Sequence, residues 1–160
     1  MQQNYPISWI FESVIDSSRE AQIEQRLSSS NQSLCAQWSQ NHDGLFVASP
    51  LHIFVSDESG NLIGGIIGRT HAIREWLEVL VLWVEEGHRR VGLGKTLMQK
   101  AEEEAQARGC LYARLATSDY QAPEFYYAIG YDLYGKLENC PPGNTVFYFH
   151  KTLTNPRSST

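Results

Sequence analysis

Apolar and polar residues alternate or recur along this chain in a pattern that predicts strands at both ends of a glycine-rich turn, with helices between. Ile7–Phe11 alternates as a first strand. Arg19–Leu27 reads as a short helix capped by Ser17 or Ser18, ended by the run Ser28-Ser29-Ser30-Asn31, with a second short helix at Leu34–Trp38. Leu51–Val55 and Leu62–Thr70 form a hairpin about the turn Asp57–Asn61. Gly64, Gly65 and Gly68 weaken its second strand and point to tight packing, close backbone approach or a bulge. Trp76–Val84 is nearly all apolar, as in a strand buried on both faces. Its inward set is Trp76, Glu78, Leu80, Leu82 and Val84, or the complement of that set.

Beyond the turn, Leu93, Leu97, Ala101 and Ala105 recur every four residues, widened by Met98, and Gly109 supplies the helix C-cap. Leu111–Thr117 alternates as a strand. Pro123 opens a short helix at Glu124–Ile129. Tyr131–Leu137 and Thr145–Leu153 are the last strands, and Thr154–Thr160 reads as a disordered tail. The strand–helix–strand run from Trp76 to Thr117 implies a parallel crossover among antiparallel hairpins. The expected fold is therefore α/β: one domain over residues 1–153, with a mixed sheet of about six or seven strands and helices on both faces.

The turn itself reads Arg89-Arg90-Val91-Gly92-Leu93-Gly94-Lys95-Thr96. Strand, glycine turn, then helix is an anion-binding arrangement. A helix N-terminus leaves backbone N–H groups unpaired and carries partial positive charge, and glycines admit a phosphate close to the backbone. Gly94-Lys95-Thr96 resembles the end of a mononucleotide P-loop, but that motif needs glycine where Arg89 stands. The dinucleotide fingerprint fails at Leu97, its third glycine position.

Arg89-x-x-Gly92-x-Gly94 instead resembles the R/Q-x-x-G-x-G/A signature of the GNAT N-acetyltransferase superfamily. Downstream, Phe125-Tyr126-Tyr127-Ala128-Ile129-Gly130-Tyr131 resembles that family's F-Y-x-x-x-G-F/Y segment. The resemblance implies an acetyltransferase fold with two parallel strands splayed around acetyl-coenzyme A (acetyl-CoA). It implies a pyrophosphate held on the N–H groups from Arg90 to Lys95, through Val91, Gly92, Leu93 and Gly94. Arg89 and Arg90 would serve as charge partners, with an added contact from the Thr96 hydroxyl. Leu82, Trp83 and Val84 would offer backbone to the pantetheine arm, and Phe125 would complete the cofactor wall.

Acetyl transfer to an amine requires positioning, loss of the ammonium proton and stabilisation of the departing thiolate. Glu78 lies eleven residues before Arg89, where the resemblance places a strand-borne glutamate base. Desolvation would raise its pKa; equally, it could be an edge glutamate or be paired with Arg74 or Arg114. Glu85 and Glu86 are alternatives at the strand end, and ordered water serves in many members. Tyr126 matches the family tyrosine that protonates the thiolate. Many members carry N-x-x-A-x-x-F-Y, whose asparagine contacts the cofactor; here Asp119 stands in its place, so Gln121 or Ser118 would have to substitute.

Composition narrows the rest. The formal charge of −5 argues against nucleic acid as a partner and accords with a cationic amine, whether a small molecule or a protein amine. No apolar run approaches the roughly 20 residues of a membrane span, and the N-terminus lacks signal-peptide character, so a cytoplasmic location is expected. Cys35, Cys110 and Cys140 form neither a disulfide framework nor a zinc pattern and read as buried free thiols. The five histidines make no close pair, so no metal is expected. A homodimer is compatible with all of this.

Overall fold

The structure is a computed structural model, and it describes residues 11–32, 48–71 and 75–153. The chain divides into two compact units between His42 and Asp43. In the first, helix α1 spans Ser17–Gln32. Its cap is Asp16 rather than either serine: one carboxylate oxygen accepts the N–H groups of Ser18 and Arg19, both at 3.0 Å. A carboxylate there also meets the positive end of the helix dipole. The serine run does not end the helix. Ser29 donates its hydroxyl to the Gln25 carbonyl at 2.9 Å, so the side chain is satisfied one turn back within the helix. Apart from Phe11, the expected strand Ile7–Phe11 lies outside the described residues, as do the expected helix Leu34–Trp38 and the tail 154–160.

The second unit is a six-stranded mixed sheet. Its strands are β1 (Ser49–Ser56), β2 (Leu62–His71), β3 (Trp76–Val84), β4 (Tyr112–Ser118), β5 (Asp132–Glu138) and β6 (Thr145–Thr152), in spatial order β1-β2-β3-β4-β6-β5. Only β3 and β4 pair in parallel. Helix α2 (Leu93–Ala107) joins them, and α3 (Pro123–Ala128) precedes β5. Within this unit both helices lie on one face of the sheet, where the sequence predicted helices on both.

That face follows from the helical periodicity. Leu97, Met98, Ala101 and Ala105 are all buried against Leu77, Val79, Ala113, Leu115 and Phe149. The two alanines let α2 approach the sheet closely. Gly109 at φ +89° ends the helix: its N–H reaches the Gln106 carbonyl and the Cys110 N–H the Ala105 carbonyl, a Schellman pair. Cys110 is buried in the same corner, Cys140 is half-buried, and Cys35 lies outside the described residues.

β3 keeps neither of the two alternations read from its sequence. Ile67 pairs with Val81 and Gly68 with Val79, which leaves Leu80 as an extra residue in a bulge. A one-residue insertion exchanges the faces. Leu77 and Val79 therefore face the helices before it, and Leu82 and Val84 after it. Gly68 is opposite the bulge because nothing larger fits; a Cβ there would stand 2.8 Å from the Glu78 carbonyl oxygen.

One buried polar cluster escaped the sequence pattern. Glu102 of α2 accepts a hydrogen bond from the Tyr131 hydroxyl at 2.9 Å and one from the Lys151 ammonium at 2.7 Å. Lys151 also donates to the Ile129 carbonyl at 3.1 Å. A buried carboxylate is tolerable only when so satisfied. Burial and the adjacent Glu102 charge hold the Tyr131 phenol far above its ordinary pKa. Among the described residues, no helix is long and apolar enough to cross a membrane.

Candidate functional site

The parallel pairing of β3 and β4 stops at Val79 and Leu115. Beyond that point β3 stays paired to β2 as far as Val84, and β4 to β6 as far as Ser118. Each strand keeps its outer neighbour while the two inner edges part. A cleft of about 650 Å³ opens between them. One wall is Val79, Leu80, Val81, Leu82 and Val84; the other is Leu115, Ala116 and Thr117. Arg89, Arg90, Gly92, Gly94 and Lys95 close one end, and Gln121, Ala122, Phe125 and Tyr126 complete the site.

At the turn, Glu86–His88 forms a short 3-10 helix before Arg89. Arg89 donates from Nε to the Val84 carbonyl at 2.8 Å, so this side chain ties the turn to the end of β3 and leaves its terminal nitrogens over. Arg90 at φ +62° and Gly92 at φ +91° both adopt left-handed backbone. For an arginine that is a strained conformation, of the kind that collects at ligand sites. The first helical hydrogen bond runs from Thr96 N–H to the Gly92 carbonyl at 3.0 Å. The N–H groups of Leu93, Gly94 and Lys95 therefore lie ahead of it with no intrahelical acceptor. A diphosphate fits this arrangement: unpaired donors, helix dipole and cationic side chains converge at one mouth. The Thr96 hydroxyl turns back to the Gly92 carbonyl at 3.2 Å and does not line the cleft. At Gly94 a Cβ would meet Phe125 and Val84 at ordinary contact distances of 3.5 and 3.9 Å, so alanine fits there too.

Tyr126 is buried on α3 among Phe125, Tyr131 and Phe149, whose ring centroids lie 5.1, 6.1 and 5.8 Å from its own. It lines the cleft, and its hydroxyl has no hydrogen-bond partner among the described residues. Burial raises its pKa, so the phenol stays protonated and available as a donor at neutral pH. Asp119, in the place of the family asparagine, is occupied structurally: its carboxylate accepts the N–H groups of Thr145 and Tyr120 at 2.8 and 2.9 Å, joining β4 to β6. Gln121 takes the opposite role. Its Oε1 accepts from the Ser118 N–H and the Thr117 hydroxyl, both at 2.9 Å. A backbone N–H can only donate, so the oxygen must face it. The amide NH2 is then left for the cleft that Gln121 lines.

Glu78 lies on the face of the sheet away from α2, in a row with Arg69 on β2, Arg114 on β4 and His150 on β6. Its Oε2 accepts from Arg69 Nε at 2.6 Å and its Oε1 from Arg114 Nη2 at 3.0 Å; His71 Nε2 approaches to 3.5 Å. The expected rise in its pKa is reversed. Burial pushes the carboxyl up, but the Arg69 hydrogen bond and the charges of Arg114 and Arg69 together outweigh it and hold the carboxyl below its ordinary value. Glu78 does not line the cleft; it sits just behind the point where the strands part.

The fold thus brings Leu82, Val84, Arg89, Arg90, Gly92, Gly94, Lys95, Gln121, Phe125 and Tyr126 to one cavity. The side chains of Trp83, Val91, Leu93 and Thr96 stay outside it, although backbone groups of these residues belong to the same turn and edge. Glu85 and Glu86 are exposed, and neither they nor His88 lines the cleft. Sequence reasoning passed over the second wall, Leu115–Thr117, and Leu80. The alternation at 111–117 marked a strand but carried no sign of where it would part from its neighbour.

The family described as Acetyltransferase (GNAT) family matches residues 11–131. The chain is 39% identical over 110 residues to the blasticidin-S acetyltransferase of Streptomyces morookaense, covering 66% of this chain and 79% of that protein. Its structure is similar to the crystal structure of an acetyltransferase from Bacillus cereus, with a TM-score of 0.73 and 28% identity, covering 91% of this chain and 98% of that one. The crystal structure of an aminoglycoside 6'-N-acetyltransferase complexed with coenzyme A shares the fold, with a TM-score of 0.59 and 20% identity over 74% of this chain and 81% of that one. With its splayed strands and glycine turn, the chain belongs to the GNAT family and is an acetyl-CoA-dependent N-acetyltransferase.

Proposed function

We propose that the chain acetylates the primary amine of a small molecule by direct transfer, with donor and acceptor bound together across the β3–β4 cleft. The observation that carries this reading is the arrangement of the cleft itself. Unpaired N–H groups stand at one end, free strand edges run along both walls, and a protonated phenol with an unengaged hydroxyl faces the interior.

Acetyl-CoA, when bound, supplies the acetyl group as a reactive thioester. The N–H groups from Arg90 to Lys95, with Arg90 and Lys95 as cations, hold the diphosphate. The inner edge of Leu82–Val84 orients the peptide-like arm, and the Gln121 amide supplies the donor that Asp119 cannot. Tyr126 delivers its phenolic proton to the departing sulfur. Glu78, held by two arginines below its ordinary pKa, is a weak proton acceptor, so we assign it to ordering that row rather than to general-base work. The ammonium proton leaves to solvent before attack, and the second proton that the nitrogen loses as the amide forms restores the Tyr126 phenol. Neither Cys110 nor Cys140 lines the cleft, in keeping with direct transfer. A small-molecule acceptor is supported by the 39% identity to an acetyltransferase of the antibiotic blasticidin S. A cytoplasmic location and the use of a single domain over residues 1–153 belong to the same proposal.

Calorimetry with acetyl-CoA, followed by a screen of small amines for release of free thiol, tests this reading. Saturable binding and turnover with at least one small amine are expected. Turnover only with protein N-termini or lysines would overturn the acceptor assignment, and no binding of acetyl-CoA would overturn the reading of the cleft.

A further inference from the structure

We propose that the acceptor amine also carries a carboxylate, and that Arg114, assisted by Arg69, receives it on the sheet face where β3 and β4 part. This names the substrate class of the site above and rests on that reading.

The row Arg69–Glu78–Arg114 holds two guanidinium groups against one carboxylate. Glu78 occupies Arg69 Nε and Arg114 Nη2, which leaves most of the ten N–H donors of the two guanidiniums over. Arg114 Nε is buried with no hydrogen-bond partner among the described residues, while His71 Nε2 already lies 3.5 Å from the Glu78 carboxylate. Buried polar groups in folded proteins are nearly always paired, so an unpaired guanidinium N–H in a net positive row calls for an acceptor that the described residues do not provide. A planar guanidinium fork matches a carboxylate in a two-bond geometry.

The row lies at the right place. Arg114 is two residues behind Ala116 on the same face of β4, and Ala116 lines the cleft. Two strand residues span about 7 Å, comparable to the distance between the amine and the acid of a small molecule. Across β6, Tyr148 stands opposite Ala116 and His150 opposite Arg114. Tyr134 packs against both, at 6.1 and 5.8 Å between ring centroids, and builds a wall for the body of such a molecule. One strand further out, Asp132 stands opposite His150 in the register of β5 and β6.

The test offers the enzyme matched amines with acetyl-CoA: amino acids of varied side chain, their C-terminal amides and the corresponding decarboxylated amines. Thiol release reads turnover, and calorimetry reads acetyl-CoA binding. The free acid is expected to exceed its amide in kcat/KM by at least about tenfold, the scale of losing one charged hydrogen bond. Arg114→Gln should erase that difference within each pair, and Arg114→Lys should restore part of it. If Arg114→Gln does not fold, Arg69→Gln provides the same comparison from the other side of Glu78. Equal or better turnover of the amides, or a preference that survives both glutamine variants, overturns the proposal. So does a panel in which no acid is acetylated while acetyl-CoA still binds. Absence of acetyl-CoA binding fails the reading of the cleft instead.

Discussion

The phosphate end of the cleft and the charged row behind its opening are built from different material. The phosphate end is made of backbone: a left-handed glycine at Gly92, the unpaired N–H groups of Leu93, Gly94 and Lys95, and an arginine whose Nε is used to tie the turn to β3. The acceptor site proposed above lies behind the cleft and is made of side chains drawn from four strands, Arg69, Glu78, Arg114 and His150, with Tyr134 and Tyr148 beside them. A backbone site needs only a local run of residues and tolerates change in most side chains. A side-chain site depends on register across the sheet, and one slipped residue would disperse it. The contrast suggests how one cofactor end can serve a family whose acceptors differ.

Replacing Tyr126 should sharpen the contrast most. Tyr126→Phe removes the proton donor and keeps the ring contacts to Phe125, Tyr131 and Phe149. We expect kcat to fall about 100-fold or more, the usual yield of general acid catalysis, with acetyl-CoA affinity little changed. Steady-state kinetics beside calorimetry measures both, and an unchanged kcat would remove Tyr126 from the chemistry.

The turn should respond in binding instead. Gly92 is at φ +91° with open space where a Cβ would stand, so the effect of Gly92→Val is conformational and not steric. A left-handed β-branched residue costs about 1–2 kcal/mol, so acetyl-CoA affinity should drop about tenfold while kcat at saturation changes little. Equal affinity in calorimetry would mean that the turn does not grip the ligand.

Glu78→Gln should have the smallest effect, on stability and not on the pH profile of turnover. The folded pKa of Glu78 lies below its ordinary value of 4.5. Its ionic contribution is therefore fully present above that value and is lost as pH falls below 4.5 through the depressed folded pKa. At pH 7 the variant should lose about 1 kcal/mol, the scale of a half-exposed ion pair, or about 3 °C in Tm. The gap should close in acid. Thermal melts at pH 7 and pH 3.5 check the sign. If the variant instead abolished the rise of kcat/KM with pH, Glu78 would be the base after all.

Much of the phosphate end and the fold was legible because the information is local. The four-residue recurrence of Leu93, Leu97, Ala101 and Ala105 marks a helix face, Gly109 marks its end, and Arg89-x-x-Gly92-x-Gly94 marks the turn between strand and helix. Where sequence reading failed, a distant or competing partner decided. The Ser28–Asn31 run stays helical because its hydroxyls can bond one turn back, as Ser29 does to Gln25. The facing of β3 was not readable in either phase because Leu80 is inserted as a bulge, and the space for it comes from Gly68 on the neighbouring strand.

By itself, then, the sequence determined the strands of the sheet, the helix after the turn and the anion-seeking turn, since hydrophobic period and glycine conformation act within a few residues. Only tertiary structure decided what Glu78 is. Two arginines, nine residues before it and thirty-six after it, meet its carboxylate across the sheet. They anchor a desolvated carboxylate at the centre of a cationic row and hold its pKa down, because an ion pair outweighs burial only when the partners arrive in register.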